Sequence, residues 1–256
     1  MPNPSHQLLN RTRLDRFISK ALQVKRSEVR LMLASGRILV DGQAAESISQ
    51  VVHTFSHICL DGDILLNNTP QYLMMNKPVG VVSATKDAQH KTVMDLLRGG
   101  SLRGESLQGE SLNGEQRAGL HIAGRLDFNS SGLLLLTNDG HWSRRLSAPE
   151  TRVSKAYRVT LEDPIEPHYV EAFAEGMYFA FEDLTTRPAR LHILSEHLAE
   201  VYLTEGRYHQ IKRMFGRFNN KVTSLHRFAI GGLYLDEALQ AGQSRGLSAD
   251  ELERVF

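Results

Sequence analysis

Residues 132–140, Gly-Leu-Leu-Leu-Leu-Thr-Asn-Asp-Gly, restrict the fold more than any other stretch of this chain. Leu133 to Leu136 stand between Gly132 and the turn signal Asn138-Asp139-Gly140, which reads as a short buried strand bounded by turns. Such a strand needs a sheet around it, and it makes a rigid support for whatever precedes it. Immediately upstream, Arg125-Leu126-Asp127 puts a carboxylate on the polar turn that enters the strand. A carboxylate held against apolar surroundings is costly unless it is paired or hydrogen-bonded. Asp127 therefore either caps its turn through the amides of Asn129 and Ser130 or is kept ionised for chemistry. Local sequence leaves both open.

The flanking segments indicate what packs around the leucine strand. Between Arg13 and Leu22, apolar Leu14, Phe17, Ile18, Ala21 and Leu22 follow the spacing of an amphipathic helix. Ser27 is the expected cap of a second helix, Glu28 to Ala34, stopped at Gly36. Arg37 to Ala45 reads as strand, Asp41-Gly42 turn and strand, and a further strand, His57 to Leu60, ends at Asp61-Gly62. A polar linker with Pro70 closes this unit, giving expected domains of 12–66 and 67–256. In the second, Tyr72–Met75 and Val79–Ser83 are expected to pair around a Lys77-Pro78…Gly80 turn, and a helix follows in Thr92–Leu97. Residues 101–115 write a Ser-Leu-x-Gly-Glu pentapeptide three times, too few copies for a solenoid. They read, within 99–118, as a flexible surface insertion. After the leucines come a helix before Pro149, a strand in Lys155–Glu162, a helix ended by Gly176, two strands up to Leu203, a basic helix around Gln210–Phe215, and closing strands. Helices and strands mix without regular βαβ alternation, so the expectation is an α+β fold around a mixed, mostly antiparallel sheet with a central cleft.

With 41% hydrophobic and 23% charged residues, the composition is that of an ordinary globular protein. No apolar run approaches a membrane span, and the first residues lack the apolar core of a signal peptide. Cys59 is the one cysteine, which excludes an intrachain disulfide and a cysteine-based zinc site. A cytoplasmic protein is expected. The net charge of +1 hides a division. Residues 1–40 carry eight Lys/Arg against two acids, 204–228 carry six against Glu205, and 141–158 carry five against Glu150. Three basic segments offset by acids elsewhere suit one face meeting a polyanion, although charge runs are commonly no more than solvated helix faces. Arg26, Arg30 and Arg37 cluster around the second helix as candidate phosphate contacts. His53 and His57 are four apart in a predicted strand region, a spacing that does not aim both at one metal. No phosphate-binding glycine loop and no nucleophile elbow is present.

Several segments carry a resemblance. Residues 13–43, from Arg-Leu-Asp-Arg-Phe-Ile-Ser-Lys to Val-Asp-Gly-Gln, resemble the S4 RNA-binding domain. Asn-Lys-Pro-Val-Gly at 76–80, Ala-Gly-Arg-Leu-Asp-Phe-Asn-Ser-Ser-Gly-Leu-Leu-Leu-Leu at 123–136, Lys-Ala-Tyr-Arg-Val at 155–159, and Glu-Gly-Arg-Tyr-His-Gln-Ile-Lys-Arg-Met-Phe at 205–215 with Leu-His-Arg-Phe-Ala-Ile-Gly-Gly at 225–232 resemble, in order, the motifs of the RsuA branch of pseudouridine synthases. Asn129-Ser130 stand where that branch often has Asp-Thr, a change that leaves the turn chemistry intact. The Tyr-His-Gln and Leu-His-Arg…Gly-Gly wording looks closest to members acting on small-subunit ribosomal RNA.

The resemblance implies isomerisation of uridine to pseudouridine in 16S rRNA, at an expected uridine 516, within a small-subunit assembly intermediate. It implies one essential aspartate, no metal or organic cofactor, no membrane partner, and a monomer. Asp127 matches the catalytic position, as nucleophile at C1′ or as the base that drives glycal formation. Lys212 matches the cation expected to hold Asp127 ionised, and Tyr157 the residue lying against the uracil and taking the C5 proton. Arg125 is the expected phosphate contact, with Lys77, Arg207 and Arg213 as further RNA-binding candidates. Two rivals stay open: a target hairpin in 23S rRNA, and a non-catalytic S4-type RNA-binding or ribosome-assembly protein.

Overall fold

The computed structural model describes residues 11–98 and 119–256. The 101–115 repeat lies outside them. The chain divides into two compact units, one ending at Pro70 and the other beginning at Gln71.

The first unit contains β1 (Thr12–Arg13), α1 (Leu14–Leu22), α2 (Arg26–Ala34), β2 (Ile38–Val40), β3 (Gln43–Ala44), β4 (Val51–Val52), β5 (His57–Leu60) and β6 (Asp63–Asn67). Leu14 and Ile18 on the apolar face of α1 meet Val29, Ile38, Val40, Val52 and Ile58 in one core. The sheet runs β3-β2-β5-β6. Asp41-Gly42 and Asp61-Gly62 have positive φ at both positions, the backbone that two-residue hairpin turns require. α2 starts earlier than expected. Lys25 occupies the cap position in extended conformation, so Ser27 lies inside the helix and caps nothing.

The second unit contains β7 (Tyr72–Lys77), α3 (Val93–Arg98), β8 (His121–Ala123), β9 (Ser131–Thr137), α4 (Gly140–Ser147), β10 (Lys155–Leu161), α5 (His168–Glu175), β11 (Tyr178–Phe179), β12 (Leu184–Thr185), β13 (Arg190–Ser195), β14 (Leu198–Leu203), α6 (Gln210–Gly216), β15 (Val222–Ile230), β16 (Leu233–Tyr234), β17 (Ser244–Gly246) and α7 (Ala249–Glu253). Its main sheet is ordered β13-β14-β10-β15-β9-β7-β17, with β8 on β9 and β16 on β15. Only β9 and β15 pair in parallel; the other pairings in this sheet are antiparallel. The expected mixed, mostly antiparallel α+β fold is what forms.

All four leucines of β9 are fully buried because the strand separates two cores. Leu134 and Leu136 pack with Leu73, Met75, Val93 and Leu97, while Leu133 and Leu135 pack with Met74, Leu146, Ile230 and Leu247. A third core gathers Val159, Phe173, Val201, Met214 and Phe215. The expected hairpin of β7 with Val79–Ser83 does not form. Pro78 removes an amide from the ladder and Gly80 turns the chain at φ +80°. The segment is tied elsewhere: the Gly80 amide donates to the Phe128 carbonyl (2.9 Å) and the Val82 amide to the Lys91 carbonyl (3.0 Å).

One cross-strand rung brings distant side chains to the same level of the sheet. Lys77 on β7 lies opposite Gly132 on β9, Gly132 opposite Arg227 on β15, and Arg227 opposite Tyr157 on β10. A Cβ on Gly132 (φ +105°) would stand 2.2 Å from the Arg227 carbonyl oxygen, so only glycine lets β15 approach.

Candidate active site

Asp127 sits on the turn between β8 and β9, and the turn is held entirely through its backbone. The Ser130 amide donates to the Asp127 carbonyl (3.0 Å). Ser83 Oγ both donates to the Leu126 carbonyl (2.7 Å) and accepts from the Leu126 amide (3.1 Å). Two buried cations grip the same turn. Lys77 Nζ donates to the carbonyls of Pro78 (3.0 Å), Asp127 (3.0 Å) and Ser130 (2.8 Å). Arg227 Nε donates to the Leu133 carbonyl (2.8 Å) and its Nη1 to that of Arg125 (3.3 Å). The turn is thus satisfied without its acidic side chain, which removes the capping alternative. The Asp127 carboxylate does not cap Asn129 or Ser130. It is about one-third exposed, and its one close partner among the described residues is His209, with Nε2 at 3.4 Å from Oδ2.

His209 reaches that position from the residue preceding α6, in the left-handed backbone region (φ 48°) that non-glycine residues seldom adopt. Its ring stacks on Tyr208, with centroids 3.9 Å apart. The buried Glu205 fixes this approach by accepting from the Arg187 amide (2.9 Å), Arg207 Nε (3.0 Å) and Gln210 Nε2 (2.7 Å).

Asp127 and Tyr157 line one cavity of about 600 Å³, together with Arg125, Lys155, Arg207, Tyr208, His209 and Arg227. That volume falls within the range of small-molecule sites and accommodates a nucleotide. Asp127 is the one carboxylate in the lining, among four Lys/Arg side chains. Arg227 Nη1 lies 3.5 Å from the Tyr157 hydroxyl.

Three expected roles need correction. Lys77 is fully buried and cannot contact RNA; it serves as the clamp beneath Asp127. Desolvation by burial pushes its pKa down to about 8, opposed by the Asp127 charge. Lys212 makes no ion pair with Asp127 and does not line the cavity. Ile211, Met214 and Phe215 form the buried stripe of α6, which leaves Lys212 on its flank. Arg213 is committed within the fold, paired to Glu182 through both terminal nitrogens and lying 3.8 Å over the Phe179 ring.

Arg125 is exposed at the cavity and makes no ion pair among the described residues, whereas Arg207 lines it while tied to Glu205. In the first unit, Arg26 pairs with the buried Asp15 yet stays half-exposed. Arg37 pairs with Asp61, and Arg30 is exposed. Sequence reasoning missed His209, Arg227 and Lys155 as site residues. All three stand inside motif segments already singled out, so the signal was present, but nothing local showed which side chains turn inward.

No helix among the described residues is long and apolar enough to cross a membrane. Among those residues, no three His, Cys, Asp or Glu side chains converge as a metal site.

The chain is similar to known proteins over nearly its whole length. A family model described as RNA pseudouridylate synthase matches residues 71–216, and the S4 domain model matches 12–58. The chain is 46% identical to the ribosomal small subunit pseudouridine synthase A of Pseudomonas aeruginosa, over 94% of this chain and 98% of that protein. With the protein of the same name from Pasteurella multocida it shares 39% identity, over 94% and 97%. A solved structure titled a pseudouridylate synthase superposes with a TM-score of 0.66 at 35% identity, covering 96% of this chain and all of that one.

Proposed function

Because the chain belongs to the RNA pseudouridylate synthase family, in its RsuA branch, we propose that it isomerises one uridine of small-subunit (16S) rRNA, expected at position 516, to pseudouridine. The proposal extends to a cytoplasmic monomer that meets its RNA in a small-subunit assembly intermediate and needs no cofactor. Relatives named for the small subunit, at 46% and 39% identity over nearly the whole chain, favour that substrate over a 23S rRNA hairpin.

One observation carries the catalytic assignment: the Asp127 carboxylate is free of its own turn and stands in a nucleotide-sized cavity with Tyr157. The target base is out of reach inside folded RNA and must be flipped, at a cost of a few kcal/mol. Asp127 then either attacks C1′ or removes a proton from C2′, and the N1–C1′ bond breaks. The uracil turns and rejoins through C5. The Tyr157 hydroxyl lies against the ring and takes the C5 proton while passing its own on to N1. Lys77 below the carboxylate supplies the positive charge first expected from Lys212, His209 stands beside it as a close polar partner, and Arg125 and Arg207 at the cavity meet phosphates.

Asp127→Asn tests this. Tritium release from uracil-5-labelled 16S rRNA should fall by at least about a thousandfold, as when other catalytic nucleophiles are lost. RNA affinity should stay within a few fold. Undiminished turnover overturns the assignment, and a wild type that binds rRNA but releases no label marks a binding protein.

A further inference from the structure

Two cationic side chains of the cavity have no anion to answer them. Lys155 begins β10 two residues before Tyr157, on the same face of the strand, and both line the cavity. No hydrogen bond or ion pair engages its ammonium among the described residues. Burial first, and the Arg227 charge second, push its pKa below the usual lysine value. Arg227 is 4% exposed and spends Nε and Nη1 on the Leu133 and Arg125 carbonyls, yet its Nη2 is buried with no partner among the described residues. Native proteins rarely leave a buried donor of that kind empty, and a second cation beside it adds repulsion. The one carboxylate of the lining is already beside His209 and above Lys77. The inner wall is therefore short of one anion.

The reaction supplies one. If an Asp127 oxygen bonds to C1′, the N1–C1′ electron pair leaves on the uracil. If Asp127 instead takes the C2′ proton, the C–H pair becomes the C1′=C2′ bond and the same N1–C1′ pair leaves on the uracil. Both routes release the base as its N1 anion, with charge shared over O2 and O4. We propose that Lys155 and the free Nη2 of Arg227 form the receptor for this detached uracil anion, stabilising it as it forms and holding it while it turns. C5 then forms its bond to C1′. The bond or double bond at C1′ returns its pair to Asp127, or takes back the C2′ proton, and the C5 proton passes to the Tyr157 oxygen as the phenol proton moves on to N1, which carries it in the product. The inference rests on the function proposed above. Phosphate is the other anion to consider, but the exposed Arg125 and Arg207 suit it, whereas Arg227 is buried beside the tyrosine hydroxyl.

Lys155→Met removes half of the receptor, and Lys155→Arg keeps its charge. In single-turnover conversion of a uridine-containing rRNA fragment, Lys155→Met should lower the rate roughly 100-fold, the effect of deleting one preorganised donor to a developing anion. RNA affinity should be unchanged, and Lys155→Arg should recover most of the rate. Replacing the target by 5-fluorouridine, whose base is the more stable anion but has no C5 proton to lose, and following N1–C1′ cleavage alone, should shrink the defect below about tenfold. Independently of turnover, calorimetric titration should show wild type preferring barbiturate, a singly charged pyrimidine, over neutral uracil by about tenfold, with the preference lost in Lys155→Met. Inorganic phosphate should bind both proteins alike. Equal defects on uridine and 5-fluorouridine, equal barbiturate affinity in the two proteins, or phosphate binding that follows Lys155 would each overturn the receptor while an active wild type keeps the functional reading. A wild type without isomerase activity overturns both.

Discussion

Lys77 shows how far a residue's identity is from its role. Its fully buried ammonium is spent on two carbonyls of the Asp127 turn and on that of Pro78, and the sequence offered no way to tell this lysine from a surface one. The resemblance alone assigns Lys212 to Asp127; nothing in its own surroundings points there. A depressed lysine pKa has a definite consequence for stability. The folded protein releases this proton near pH 8, whereas the unfolded chain holds it until its ordinary value of 10.5. Between those values the unfolded state binds more protons, so the Lys77 contribution to stability rises with pH. Urea unfolding of wild type and Lys77→Met should therefore diverge, the variant losing progressively more ground from pH 8 to 10; a constant or narrowing gap would contradict the clamp. Asp127 was legible as the acidic residue of a turn before a rigid strand. That its carboxylate is released from the turn depends on Ser83, Lys77 and Arg227, which arrive from three other strands and loops.

Among the elements, β9 was legible because four leucines between turn residues have no other stable home, and α1 because its apolar spacing is helical. Val79–Ser83 misled because its strand-like composition answers to Lys91, Val93 and Phe128 rather than to β7, and a pairing partner is not written in local pattern. Ser27 misled because a good capping residue lies one position inside α2. The parallel contact of β9 with β15 was invisible for the same reason, and it is the contact on which the site depends. Gly132→Ala should expose that dependence. Its Cβ would meet the Arg227 backbone at 2.2 to 2.9 Å, and its φ of +105° suits glycine alone. A loss of roughly 3 kcal/mol or more in urea unfolding is expected, combining backbone strain with a displaced strand. A variant as stable as wild type would mean that β15 can yield.

Across the whole molecule, the net charge of +1 conceals basic segments in both units. The structure withdraws some of that charge from solution, pairing Arg213 with Glu182 and Arg37 with Asp61, and burying Lys77 and Arg227. Arg30 and Arg125 stay exposed without an ion pair among the described residues, and Arg26 and Arg207, though paired with Asp15 and Glu205, remain partly exposed for backbone binding. Affinity for rRNA should fall at least about tenfold between 50 and 200 mM salt, by analogy with proteins that neutralise several phosphates on duplex DNA. Filter binding across that range would measure it, and a flat response would count against an RNA face. The order of the motifs along the chain was readable, but their meeting was not. Arg227 reaches back 94 residues to Leu133 and 102 to Arg125. A chain growing from its amino end thus has its carboxylate long before it has the guanidinium that seats it, and such distant closures form late in folding. Competence comes only when β15 slides in beside the leucines, so a chain made no further than β14 carries the Asp127 turn without the guanidinium that anchors it.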